Sequence, residues 1–229
     1  MSRKIIFTIN GFYHLYNRGT EKRNIFLDKA DYERFLALLY LCNGKETTHL
    51  SNYQGSTLME KLTLKRSNPL VDICAYCLMP NHFHLLVKER INNGTSQFMQ
   101  KLTTGYTMYF NKRNERTGGL FQGRFKATPA KEDRYLKYLV SYIHLNPIKI
   151  ADPDWKENGI KNEKHAKSFL EQYRYSSYLD YCGKNRLEGK IINKKALPKY
   201  FGSVKNFKTT TNFWFEYKSL GISSSEVQP

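Results

Sequence analysis

The chain has 229 residues, 40% hydrophobic and 14% aromatic, which supplies enough apolar material for a packed core and excludes a disordered chain. Its formal net charge is +17, an excess that favours a polyanionic partner, with nucleic acid before a membrane surface. No run reaches the roughly 18 apolar residues of a membrane span, the opening "MSRKIIFTINGFYHLYNRG" lacks a secretion signal, and 4 cysteines make no disulfide framework, so a cytoplasmic protein is expected.

In chain order, "FYHLYNRG" (12–19) reads as a strand running into a loop. Asp28 is placed to cap a helix through "DYERFLALLYLCN", whose Phe35, Leu38, Leu39 and Cys42 share one apolar face. Residues 43–70 are polar and irregular and read as an inserted loop. "VDICAYCLM" and "HFHLLVKE" are two strands joined at Pro80–Asn81. Thr95 or Ser96 opens a long helix that ends at Gly118–Gly119, and "LFQGRFKAT" is a fourth strand. Thr128–Pro129 then starts a helix through "AKEDRYLKYLVSYIHLN", stopped at Asn146–Pro147 because a residue before proline disfavours the helical region.

The order β-α-β-β-α-β-α predicts an α+β fold: a ferredoxin-like split βαβ core, a four-stranded antiparallel sheet with helices on one face. This core is expected over residues 1–150. Residues 151–229 form a lysine-rich C-terminal extension with a second aromatic region, and 221–229 a disordered tail.

Cys74 and Cys77 form a C-x-x-C. Strand alternation predicts opposite faces for them, and "AY" between them lacks the Gly or Asn of a zinc-knuckle turn. Two residues apart on the next strand, His82 and His84 share a face at roughly 6.5–7 Å, while Phe83 points into the core. The plain reading of such a pair is a solvated sheet face. The following Leu85, Leu86 and Val87 argue instead for a buried strand, where two imidazoles want a partner. Two imidazoles at that spacing can converge on one divalent ion.

The last predicted helix carries an apolar stripe, Leu136, Leu139, Val140 and Ile143, and a second stripe, Tyr135, Tyr138, Tyr142 and Asn146. Tyr135 and Tyr138 read as packing. Tyr142 is the one followed a turn later by a polar, metal-capable side chain, Asn146. His144 faces away and reads as structural. A basic and aromatic run, Lys101, Tyr109, Lys112, Arg113, Arg116, Arg124 and Lys126, joined by Arg18 from the first strand, suits a phosphate backbone with exposed bases. The bland alternatives are a solvated helix face for the charges and core packing for Phe110 and Phe125.

Taken in order, "YHLYNRG", "LMPNHFHLLV", "GLFQGRFK", "YLVSYIHLNPIK" and "YRYSSY" resemble the REP-associated tyrosine transposases, bacterial HUH-type single-tyrosine enzymes, over residues 12 to about 182. The resemblance implies an HUH endonuclease architecture, with His82 and His84 as ligands of a catalytic Mg²⁺ or Mn²⁺ and Asn146 as the third ligand. It implies Tyr142 as the nucleophile that forms a 5′-phosphotyrosine. It also implies single-stranded DNA with imperfect palindromic hairpins as the substrate, beside a short tetranucleotide guide. Two other readings stay open: a non-catalytic nucleic-acid binder of the same fold class, and an HUH nuclease of the replication-initiator type. Relaxases place the tyrosine before the histidine motif, the reverse of the order here. Either a monomer or a homodimer is compatible with the sequence.

Overall fold

A computed structural model describes residues 5–46 and 55–219. It begins at strand β1 (Phe12–Arg18), followed by helix α1 (Lys29–Leu41). Asp28 caps α1 as expected, its carboxylate accepting the backbone N–H groups of Ala30 and Asp31. The stretch read as an inserted loop contains a helix, α2 (Leu58–Thr63). Thr57 and Glu60 form a capping box around its first turn, with Thr57 N–H donating to Glu60 Oε2 at 2.6 Å and Glu60 N–H to Thr57 Oγ1 at 3.2 Å.

Strands β2 (Val71–Met79) and β3 (His82–Glu89) form the expected hairpin, and the long helix α3 runs over Gly94–Arg113. Its start differs from expectation. Asn93 enters it with a left-handed φ of 60° and no side-chain cap, while Thr95 uses its N–H and hydroxyl on the buried Glu89 carboxylate. The helix also stops short of Gly118–Gly119. The fourth strand, β4 (Lys126–Pro129), is shorter than predicted. Gln122 N–H bonds the Arg18 carbonyl at 2.8 Å and Gly123 turns the chain at a φ of 70°, so only the last three residues of the predicted strand, with Pro129 after them, join the ladder.

Helix α4 (Asp133–Leu145) starts four residues after the predicted Pro129. Asn146 remains helical (φ −53°, ψ −37°) despite the proline that follows. Pro147 opens a second short helix, α5 (Ile148–Ala151), whose first turn has no use for the missing N–H. Beyond it lie α6 (Trp155–Asn158), α7 (Glu163–Gln172), α8 (Tyr178–Tyr181) and α9 (Val204–Ser219). The predicted tail at 221–229 lies outside the described residues. Among the described residues no helix is long and apolar enough to cross a membrane.

The sheet order is β2-β3-β1-β4 with every pair antiparallel, the order of a split βαβ core. One face packs Leu15, Ile73, Phe83 and Leu85 against Phe35 of α1 and Phe98, Leu102 and Tyr106 of α3. The other face is covered too, which corrects the expectation of helices on one side. There Cys77 and Leu86 meet Leu136, Leu139, Val140 and Ile143 of α4, together with Tyr181 and Phe207. The stripe read from α4 is thus a real packing surface, but it uses the second face of the sheet. A β-bulge between Ile73 and Ala75 overturns the alternation argument for the cysteines: Cys74 and Cys77 both join this second cluster. Both are fully buried, and burial raises the Cys74 thiol pKa.

His144 fixes α4 to this face. Its Nδ1–H donates to the Val140 carbonyl at 2.8 Å, and its Nε2 accepts from Ser177 Oγ at 2.8 Å. Ser177 Oγ in turn accepts from Tyr76 N–H of β2 at 2.9 Å. The "SYIHLNP" and "YRYSSY" stretches therefore meet in one hydrogen-bonded chain on β2, an edge strand of the sheet. Burial drops the His144 pKa from 6.5 to about 3, so the ring stays neutral. The unfolded chain takes up this proton near pH 6.5 and the folded chain does not, so the stability contribution is intact above pH 6.5 and is lost as pH falls toward about 3. Between about pH 6.5 and 5, above the carboxylate range, urea unfolding should show a loss of up to about 1.4 kcal/mol per pH unit that His144→Gln removes. Equal slopes in the two proteins would contradict a neutral, buried His144.

Phe207 of α9 is fully buried in the same cluster, its ring 5.1 Å from His144 and 4.9 Å from Tyr181. Phe207→Ala should cost about 3–5 kcal/mol in a thermal or urea melt. A change below about 1 kcal/mol would mean that this part of the chain contributes little to the core.

Candidate active site

Antiparallel register decides which side chains share the face under α4. Across β1 and β3, Arg18 pairs with His82 and Tyr16 with His84; across β1 and β4, His14 pairs with Thr128 and Tyr16 with Lys126. Side chains alternate, so His14, Tyr16, Arg18, His82, His84, Lys126 and Thr128 belong to one side, and the fully buried Leu15, Phe83 and Leu85 to the other. The rings of His82 and His84 lie 4.9 Å apart and nearly perpendicular, at 88°.

Helix α4 crosses above them. The Tyr142 ring is 5.4 Å from His84 and 6.0 Å from His14. These three residues, with Tyr16, Thr128, Tyr135, Tyr138 and Leu139, enclose a cavity of about 320 Å³. Tyr138, at 5.7 Å from Tyr142, packs along the helix as expected of the second stripe. Burial raises the Tyr142 pKa, and the Asn146 amide one turn away pulls it part of the way back. Asn146 is only 1% exposed.

The structure brings His84 and Tyr142 to one cavity. His82 and Asn146 are not among its lining residues: His82 sits next along β3, and Asn146 sits deeper along α4. Among the described residues no group of three His, Cys, Asp or Glu side chains could hold a metal ion. An ion at this face would draw on the two imidazoles and a neutral oxygen such as that of Asn146. That donor set would leave positions open for phosphate oxygens.

Three further residues bear on the site. His14 Nε2 lies 2.9 Å from His84 Nδ1, Asn81 Oδ1 lies 2.6 Å from His82 Nδ1, and the Tyr16 ring stands 5.9 Å from His84. The signal for His14 and Tyr16 in the sequence is a polar side chain at alternate positions of β1, and that for Asn81 is its place in the turn before β3. What each meets depends on strand register.

The basic run divides. Arg18 and Lys126 are exposed on the histidine side of the sheet. Arg124 is also exposed but lines a different cavity, of about 940 Å³, between α3 and the residues leading into β4. The α3 residues lie on the opposite side, and several of them bind their own chain. Lys101 donates to the carbonyls of Gly44 and Lys45 at 2.9 and 2.8 Å, and the Tyr109 hydroxyl to Asp31 at 3.1 Å. Arg113 pairs with Asp28 and Asp31 at 2.5 and 2.6 Å, and Arg116 donates to Asn111 at 2.5 Å. Lys112 is exposed near the end of α3. Phe110 is buried and Phe125 half-buried against the first core, as the packing reading expects.

No curated protein matches the chain. Among solved structures, a REP-associated tyrosine transposase bound to a REP hairpin aligns at 11% identity and a TM-score of 0.48, covering 82% of this chain and 90% of that one. A tRNA(His) guanylyltransferase from Saccharomyces cerevisiae aligns at 11% identity and a TM-score of 0.36, covering 87% of this chain and 86% of that one. Neither overlap is close enough to carry the assignment. The family described as "Transposase IS200 like" matches residues 10–146, the stretch that runs from β1 through Tyr142 to Asn146. The chain belongs to the IS200-like transposases.

Proposed function

We propose that this transposase is a metal-dependent single-stranded DNA endonuclease and strand transferase that cuts beside palindromic hairpins through a 5′-phosphotyrosine. The observation that carries the reading is the Tyr142 ring 5.4 Å from His84, the two lining one cavity on the face of β3 that His82 shares. Hairpin DNA as the substrate rests on the ordered motif set and on the +17 charge. A divalent ion, Mg²⁺ or Mn²⁺, held by His82, His84 and Asn146 would polarise the scissile phosphate and neutralise its developing charge.

Tyr142 performs the exchange. Its Oη forms a bond to phosphorus as the bond to the 3′-oxygen breaks, giving a 5′-phosphotyrosine and a free 3′-hydroxyl. The phenolic proton leaves as the new bond forms, and the departing 3′-oxygen gains one. Phosphodiester energy is kept in the tyrosyl ester, so rejoining or transfer to another 3′-hydroxyl needs no nucleotide cofactor. Burial raises the Tyr142 pKa, so the phenol is protonated at neutral pH and gives up its proton as it attacks. Arg18, at the end of β1, and Lys126, on the neighbouring β4, are exposed on the histidine side and would hold the phosphates that flank the scissile one.

Tyr142→Phe should leave the melt and hairpin affinity unchanged and abolish cleavage of a single-stranded hairpin substrate in Mn²⁺. Cleavage at a normal rate by that variant would sink the assignment. Binding should weaken steeply with salt, and Lys126→Ala should flatten the log–log slope by about 0.7, the share of one phosphate contact on a single strand. Lys101→Ala should leave the slope unchanged, because that ammonium is already held by backbone carbonyls. The reverse pattern would place the DNA on the α3 side of the sheet.

A further inference from the structure

Both histidines of β3 are held at the same ring nitrogen. His82 Nδ1 lies 2.6 Å from Asn81 Oδ1, and the Asn81 amide nitrogen donates to the Lys22 carbonyl at 3.2 Å, which fixes the amide with its oxygen toward the ring. That oxygen can only accept, so the His82 proton sits on Nδ1. His84 Nδ1 lies 2.9 Å from His14 Nε2, with both rings buried. Two imidazole nitrogens at this distance share one proton. His14 pairs with Leu86 across the β1–β3 ladder, two residues along from the Tyr16–His84 pair, so the two rings meet diagonally on one face, tilted by 25° with centroids 5.0 Å apart.

We infer that His14 and Asn81 are positioning residues, each accepting the Nδ1–H of a β3 histidine, so that His84 and His82 present unprotonated Nε2 atoms toward the same side. The inference rests on the reading that His82 and His84 hold the divalent ion. A neutral imidazole ligates through the nitrogen that carries no proton, and the partner of its other nitrogen decides which one that is. With His84 donating from Nδ1, the proton of His14 lies on its own Nδ1. The choice of acceptors has a chemical logic. A carboxylate would orient the rings equally well but would add a negative charge beside the place where a phosphate must enter. An amide oxygen and a neutral imidazole orient the ligands without that repulsion. It also explains why the histidine pair follows a Pro-Asn turn: Asn81, the turn residue, is the neighbour that orients His82.

The test uses the full-length protein labelled with ¹⁵N-histidine and stripped of metal. Two-bond ¹H–¹⁵N spectra should show His82 and His84 in the Nδ1–H form, and His14→Ala should convert His84 to a tautomer mixture. Manganese EPR should then show Mn²⁺ affinity about 10–100-fold weaker in His14→Ala. His14→Gln, whose oxygen reaches the position of the lost Nε2, should restore most of it. His84→Ala is the control and should abolish tight Mn²⁺ binding, and a thermal melt of each variant shows that it is folded. An Nε2–H form of His84 in the wild-type protein overturns the inference even if His14→Ala fails to fold. So does an unchanged Mn²⁺ affinity in folded His14→Ala when His84→Ala has lost it. If His14→Ala and His14→Gln lose binding as completely as His84→Ala, His14 is itself a ligand and the positioning role is wrong. Mn²⁺ affinity that survives His84→Ala refutes the metal reading itself.

Discussion

The register between β1 and β3 is the constraint on which the rest of the structure depends. Pairing Arg18 with His82 and Tyr16 with His84 puts the imidazoles beside His14 and under α4. A slip of one residue would exchange every side chain between faces. It would drive His82 and His84 into the aromatic core around Phe35 and Tyr106 and expose Phe83, Leu85 and Val87 to the other side. Those three are fully buried, so the apolar side of β3 locks the polar side in place. At roughly 1.5–3 kcal/mol for each large apolar side chain buried, the incorrect register is far too costly to populate.

The second requirement is that α4 sit still. The site is assembled from a sheet and a helix that the four-stranded core does not by itself bring together. His144 and Ser177 join that helix to the backbone of β2, and Tyr181 and Phe207 pack around the same imidazole. Residues well after the family-matched stretch thus help to hold Tyr142 over the histidines. This is a physical reason for "SYIHLNP" and "YRYSSY" to occur in one chain: the first carries the tyrosine, and the second supplies the serine that anchors its helix.

Much of this was legible in the sequence, because local rules govern it. The Asp28 cap, the β2–β3 hairpin, the shared face of His82 and His84 and the apolar stripe of α4 follow from capping chemistry and from periods of 2.0 and 3.6. Other features are local yet masked by composition, such as the capping box of Thr57 and Glu60 inside a stretch that reads as polar loop. What could not be read depends on distant partners. The bulge that returns Cys74 to the same side as Cys77 breaks the alternation that assigns faces. The separation of Arg18 and Lys126 from the α3 cations depends on which face of the sheet each element covers. Asp28, a helix cap in the sequence, turns out also to hold Arg113, 85 positions away. His14 lay in a recognised motif, yet its role needs a contact with a residue 70 positions along the chain.

The central claim is that the face shared by β1, β3 and α4 performs phosphoryl transfer through Tyr142. Incubation of the full-length protein with a single-stranded hairpin substrate and Mn²⁺, followed by nuclease trimming and peptide mass spectrometry, tests it most directly. The account predicts a nucleotide adduct on the peptide that contains Tyr142, with fragment ions that place it on that residue and not on Tyr135 or Tyr138. An adduct on another tyrosine, or cleavage with no covalent intermediate at all, would contradict it.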